Sequence, residues 1–257
     1  MLNIDGSKYI VNNNLKNYLD NIKKPWGILF YRVLWQQLDK IKTSKVLDFG
    51  SGFGITANHF ASNNMVIAIE PNSELVEARI QENDYIQIVG DLKALKSQKD
   101  NYFDVILCHN VFEYAKEREE IFKEFLRILK PGGIISLVKH NHAGRIMQKV
   151  VFENNIDEAE KLLNGGIIEV LGFGKVSYYK LEDIKKWCKG FEVEIIKVLG
   201  IRTFWALQQD NKIKEDPIWQ EKMFKIEMMV SNIDEYVNIS FFNHIILKKA
   251  LKNYALE

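Results

Sequence analysis

Apolar residues recur along this chain with two different periods, and the change between them falls near residue 45. From Trp26 the positions Leu29, Phe30, Val33, Leu34 and Leu38 return at helical spacing. Pro25 stands where a helix can begin. This predicts an amphipathic helix packed on a core, the main feature of a largely helical segment 1–44. Past Lys45 the apolar runs shorten and alternate with helix-like stretches. Strands are predicted at Val46 to Phe49, Met65 to Ile69, Ile86 to Val89, Phe103 to Cys108 and Ile134 to Val138. Between them lie helices at Ile55 to Ser62, Ser73 to Glu82 and Glu117 to Leu129, the last ending in the turn Lys130-Pro131-Gly132-Gly133.

After the fifth strand the rhythm breaks over Asn141 to Tyr179. This stretch holds a helix at Asp157 to Leu163, the glycines Gly165, Gly166, Gly172 and Gly174, and the aromatics Phe173, Tyr178 and Tyr179. The core pattern resumes with a helix at Leu181 to Lys189 and a strand at Glu192 to Val198. A second insertion, Arg202 to Asn238, carries a helix from Pro217 to Met229, and Phe241 to Leu247 reads as the last strand. Alternating strands and helices imply an α/β, doubly wound sheet of the Rossmann-like kind, here with seven strands. The expected organisation is an N-terminal helical cap (1–44) on a domain 45–257, with lid insertions at about 141–180 and 202–238.

Composition narrows the function classes little. The chain has 257 residues, 47% hydrophobic and 27% charged, with a net charge of +1, as an ordinary globular protein would. Near-neutrality neither excludes nor supports a nucleic-acid partner. Cys108 and Cys188 fall in an apolar and a helix-like run, so free thiols are expected rather than a disulfide. No basic-then-apolar leader opens the chain and no apolar run is long enough for a bilayer, so a cytoplasmic protein with no membrane partner is expected. The terminal Leu256-Glu257 has the look of a cloning remnant.

The chemistry-bearing pattern starts at the end of the first strand. Asp48 is followed by Gly50-Ser51-Gly52-Phe53-Gly54, a turn through which a ligand can approach the backbone. Position 55 is Ile, so the third glycine of a dinucleotide fingerprint is absent, and no Gly-Lys-Ser/Thr ending makes a P-loop. Glu70 ends the second strand 22 residues after Asp48. That is where this architecture meets ribose hydroxyls, although an acid there can also cap the next helix. Asp91, after the third strand, is placed for an exocyclic adenine amine with Leu92 against the base, or for helix capping. His109 ends the fourth strand and either lines the ligand pocket or serves structure. His140-Asn141-His142 gives no metal set, because residues two apart on a strand point oppositely and no further ligands accompany them. Ser51 lies outside a G-x-S-x-G elbow, so a hydrolytic triad is not indicated.

Taken in order, V-L-D-F-G-S-G-F-G, Glu70, Gly90-Asp91, the F-D-V-I strand and the L-K-P-G-G turn resemble the class I S-adenosylmethionine (SAM)-dependent methyltransferases over residues 45–139. More closely, the chain resembles the bacterial tRNA 5-carboxymethoxyuridine methyltransferase family. The residues that carry this are Leu34 to Asp39, His109 to Tyr114, Asn141 with Gly144, and Gly200 to Phe204. The resemblance implies that SAM is held by Asp48, Gly50, Ser51, Gly52, Glu70, Asp91, Leu92 and His109. It also implies a cap arginine at the position of Phe30. Arg32 is the nearest arginine and the remaining cofactor-binding candidate, but two positions turn a helical side chain by about 200°.

Methyl transfer from a sulfonium is an in-line displacement, in which the protein aligns the reactants and excludes water. A carboxylate acceptor, as the family implies, is already ionised and needs a positioning cation rather than a base. Arg202 is the first candidate for that role, with Asn141 and Arg145 behind it. The expected function is methylation of a modified wobble uridine, with the tRNA anticodon loop as partner. The alternatives are a methyltransferase for a small molecule and a SAM-binding protein without turnover.

Overall fold

The computed structural model describes residues 13–166, 169–170, 174–175 and 177–251. The predicted lid residues Gly172 and Phe173 and the terminal Leu256-Glu257 lie outside them. In chain order the helices are α1 (Asn13–Lys23), α2 (Pro25–Gln37), α3 (Ile55–Ala61), α4 (Ser73–Glu77), α5 (Leu92–Lys96), α6 (Arg118–Ile128), α7 (His142–Met147), α8 (Ile156–Leu163), α9 (Leu181–Cys188), α10 (Pro217–Val230) and α11 (Asp234–Val237). The strands are β1 (Lys45–Phe49), β2 (Met65–Glu70), β3 (Ile86–Val89), β4 (Phe103–His109), β5 (Leu129–His140), β6 (Glu169–Val170), β7 (Gly174–Lys175), β8 (Val193–Ile201) and β9 (Phe242–Lys249). Seven of them form one sheet in the order β3-β2-β1-β4-β5-β9-β8, and β6 and β7 pair as a separate two-stranded ribbon.

β1 pairs parallel with β2 and β4, and β2 with β3. The chain order reverses between β1 and β4, the switch point where such sheets bind ligands beyond their carboxyl ends. β1 is buried from Val46 to Phe49 and β4 from Val105 to Cys108, as expected of central strands covered on both faces. Asp104 fixes the start of this frame: its carboxylate accepts from the Lys45 N–H at 2.8 Å and from Lys130 Nζ at 2.6 Å. That gives the acid of the F-D-V-I strand a structural purpose.

The chain divides into two compact units. One comprises residues 1–39, 138–178 and 198–244, and the other 40–137, 179–197 and 245–257. Helices α1 and α2 fall in the first unit, together with residues 138–178 and 198–244. In the first unit α2 buries Leu29, Phe30, Val33 and Leu34, the residues its periodicity marked. In the second, Phe112 stacks on Phe125 and packs edge-on against Trp187. Both cysteines are free, and burial pushes the Cys108 thiol well up. No described helix is long and apolar enough to cross a membrane.

Local boundaries differ from the sequence reading where tertiary bonds intervene. The helix expected to run to Glu82 stops at Glu77, because the Ile80 N–H donates to the Phe53 carbonyl at 2.9 Å and ties the chain to the glycine turn. The Lys130 to Gly133 turn is part of a continuous β5, with Gly132 at φ +79°. α5 and the π-helical turn Gln148–Phe152 that continues α7 were not expected.

Candidate functional site

The glycine turn leaves β1 with three positive φ values, +75° at Gly50, +54° at Gly52 and +69° at Gly54. At Gly50 the need for glycine is also steric, since a Cβ would lie 2.3 Å from Val111 Cγ2. The turn does not, however, present its N–H groups to a ligand. Gly50 and Ser51 both donate to the Ile69 carbonyl, at 2.8 and 3.1 Å, and Gly54 donates to Ser51. Gly52 donates to Glu70 Oε2 at 2.9 Å. With these four donors used internally, the turn is not a phosphate cradle, which needs free N–H groups.

What this end of the sheet offers instead is acceptors. Glu70, 6% exposed, accepts from Gly52 N–H with one oxygen and from Asn72 N–H with the other at 3.0 Å. Each carboxylate oxygen keeps a second acceptor direction. Asp48 is 3% exposed and accepts from the Ala57 N–H of α3, while its Oδ2 has no partner. Burial, helped by the nearby Glu70 charge, raises its pKa to about 7. Asn110, directly after β4, is held at φ +56°, and its Oδ1 is likewise buried without a partner. Sequence reading passed over Asn110. The available signal was an asparagine, one of the few side chains that tolerates this conformation, at a strand's carboxyl end.

Asp91 caps α5 through Oδ1, accepting from Lys93 N–H at 2.9 Å, so the helix-capping alternative is realised and Oδ2 remains for a ligand. Leu92 begins that helix and is half-buried. Ser51 Oγ lies 3.5 Å from Gln87 Oε1. His109 Nε2 is 2.8 Å from Ser136 Oγ, and burial lowers its pKa to about 3, keeping the imidazole neutral at physiological pH. A neutral ring does not repel a cationic ligand.

These features fit SAM. It carries hydroxyl, amine and ammonium donors and a sulfonium charge beside a single carboxylate, and it has no phosphate. Unpartnered acceptors, two buried carboxylates and a glycine turn without free N–H groups match that inventory. Asp48, Glu70 and Asn110, all in the second unit, offer such acceptors, with Asp91 and Leu92 after β3.

The remaining candidates belong to the first unit. Arg32 has a different partner from the one expected: it is paired with Glu221 at 2.8 Å and lies 4.1 Å from the Phe224 ring. Phe30, at the cap-arginine position, is buried with its ring centroid 5.0 Å from that of Phe242. Asn141 donates both amide hydrogens to backbone, to the carbonyls of Asn238 and Ser240 at 2.9 Å each. Gly144 is required because a Cβ would sit 2.0 Å from the Ser240 carbonyl oxygen. Arg145 donates to Gln148, and its guanidinium lies 5.5 Å from the Phe241 ring. Arg202 is 7% exposed, with its guanidinium 5.0, 4.9 and 5.7 Å from the rings of Trp26, Phe241 and Phe242. Sequence reading missed Glu227, which organises the Arg202 loop.

The Asp48 environment predicts a pH effect on stability. Its folded pKa lies above the unfolded value of 3.8, so its stabilising protonated form is lost as pH rises from about 4 through about 7. At about 1.4 kcal/mol per unit, the penalty approaches about 4 kcal/mol above pH 8. Asp48→Asn removes it. Denaturant unfolding without SAM is expected to show the variant gaining stability relative to the parent between pH 5 and pH 8. A difference that does not change over that range contradicts the assignment.

Comparison with known proteins agrees with this geometry. Residues 47–137 match the family described as Methyltransferase domain. The tRNA 5-carboxymethoxyuridine methyltransferase of Escherichia coli K12 is 22% identical, over 87% of this chain and 89% of its own length. A ubiquinone biosynthesis O-methyltransferase of Xanthomonas oryzae is 26% identical over 62% of this chain and 66% of its own. The crystal structure of a putative SAM-dependent methyltransferase from Listeria monocytogenes superposes with a TM-score of 0.59 at 14% identity, covering 86% of this chain and 97% of that one.

Proposed function

We propose that this chain, a SAM-dependent methyltransferase, esterifies the carboxylate of 5-carboxymethoxyuridine in the anticodon loop of tRNA. The observation that carries the choice of acceptor is the extent of the likeness to the E. coli enzyme. It runs over 87% of this chain, well beyond residues 47–137 that match the methyltransferase domain family.

SAM, when bound, supplies a methyl group activated by its positive sulfur. The chain's own tasks are positioning and shielding. Glu70, Asp48, Asn110 and Asp91 offer acceptors to the donors of the nucleoside and amino-acid ends. The neutral imidazole of His109 adds no competing positive charge. The acceptor carboxylate is ionised at neutral pH and needs no proton removed. Its positioning falls to Arg202, whose charge survives burial because its pKa, lowered by desolvation, is still about 10.

The experiment is to incubate the protein and labelled SAM with bulk tRNA from cells lacking the activity, then digest to nucleosides and weigh them. One added methyl on the carboxymethoxyuridine nucleoside is expected. Transfer is also expected to weaken steeply with salt, as phosphate-neutralising binding does. Label that appears only in a metabolite extract, insensitive to salt, would replace this reading with that of a small-molecule methyltransferase.

A further inference from the structure

The loop after β8 contains an arrangement that the methyltransferase core does not explain. Arg202 adopts φ +61°, a conformation that costs a non-glycine residue on the order of 1 kcal/mol or more. Its buried guanidinium makes no hydrogen bond or ion pair among the described residues, and its Nε has no partner. The hydroxyl of Thr203, 1% exposed, is unpartnered as well. Phe241 has Arg202 at 4.9 Å and Arg145 at 5.5 Å from its ring centroid, so two like charges lie close to one ring. Lys214, 4.2 Å from the Phe152 ring, feels the Arg202 charge too.

The nearby acids do not neutralise this group. Glu227, 1% exposed, interacts electrostatically with Arg202, but its oxygens are occupied by backbone. Oε2 accepts from Thr203 N–H at 2.7 Å, and Oε1 from Phe204 and Trp205 N–H at 2.9 and 2.8 Å. Glu153 and Glu158 both pair with Lys149, and Asp210 faces Lys214 and accepts from the Lys212 and Ile213 N–H groups. A buried cation whose nearest acid is already taken up by backbone N–H groups keeps its own donors unmet, and a strained turn held in place by three hydrogen bonds to a carboxylate is the kind of arrangement found at functional positions.

We propose that Arg202, Thr203 and Arg145 form a site for one oxyanion group, a carboxylate or a phosphate, and that Glu227 is the positioning residue that sets the Arg202–Thr203 turn to receive it. Oxyanion binding stands on this geometry alone. Its use in placing the methyl acceptor rests on the proposed function.

The test follows the side-chain 15Nε–1Hε resonance of Arg202 in the full-length protein, assigned by its absence in Arg202→Lys. Sodium acetate or sodium phosphate is added against sodium chloride at matched ionic strength. A saturable shift with either oxyanion, and none with chloride, is expected. Acetate saturating at lower concentration identifies a carboxylate site, and phosphate saturating first identifies a site for a nucleic-acid backbone. Arg145→Met is expected to weaken binding at least about tenfold. Glu227→Gln, which sets an amide donor against N–H donors, is expected to do the same while SAM affinity stays within about twofold. Linear drift indistinguishable from chloride in the parent protein overturns the proposal, and this arm needs no variant to fold. Unchanged affinity in Arg145→Met removes that residue from the site. Oxyanion binding without tRNA methylation would leave this site standing and reject the acceptor.

Discussion

Glu70→Ala is expected to reduce SAM affinity by about two orders of magnitude or more, with the protein still folded. Two separate losses combine. The carboxylate oxygens accept from Gly52 and Asn72 N–H, fixing the glycine turn against the end of β2. They also keep acceptor directions that the ribose diol of SAM would use. Hydrogen bonds to a charged group are worth about 1.5–3 kcal/mol each, so losing two predicts roughly a 10²- to 10⁴-fold effect. Glu70→Gln separates the contributions, since its amide can still accept one of the backbone bonds, and should fall between parent and alanine. Calorimetric titration with SAM reads the effect. Affinity within about threefold of the parent for Glu70→Ala would remove the acid from the cofactor site.

The second large effect concerns Arg202. Arg202→Met should lower kcat/KM for the acceptor by roughly 30- to 1,000-fold, the equivalent of about 2–4 kcal/mol for a buried charged contact, while leaving SAM affinity within about twofold. It should not destabilise the fold. The guanidinium has no ion-pair partner among the described residues, and replacing a buried charge by an apolar chain of similar length is often neutral or stabilising. The methionine retains contact with Trp26, Phe241 and Phe242. Unfolding midpoints measured beside steady-state kinetics decide the matter. A large stability loss would make Arg202 structural, and unchanged kcat/KM would exclude it from acceptor positioning.

The parts of this molecule that were legible in the sequence are those fixed by local pattern. The strand before the glycine turn, the 22-residue interval to Glu70 and the helix after Pro25 all follow from periodicity and turn chemistry, and the sheet order at β1 and β4 follows from their alternation. Where the reading failed, the cause is a tertiary bond. α4 ends early because Phe53 captures Ile80. The glycine turn was read as one through which a ligand approaches the backbone; Gly50, Ser51 and Gly52 donate to β2 and Gly54 to Ser51, which makes it a turn suited to a donor-rich, cationic cofactor rather than to an anion. Glu227 was illegible for the same reason, since a carboxylate capturing three N–H groups 22 to 24 residues before it leaves no mark on local composition, whereas Asn110 left one weak mark, an asparagine at a strand's carboxyl end.

The central claim, transfer of a methyl group from SAM to a carboxylate of tRNA, has one distinctive chemical consequence. A methyl ester is cleaved by mild alkali, whereas methyl groups on nitrogen, carbon or ribose oxygen are not. The decisive measurement is therefore to label tRNA with this protein and methyl-labelled SAM, treat it with dilute base and assay the volatile fraction. The account predicts that the label leaves as methanol and that Arg202→Met slows its incorporation by roughly 30-fold or more. Label that stays on the nucleosides after base treatment would contradict a carboxylate acceptor, and tRNA that takes up no label would contradict the choice of tRNA.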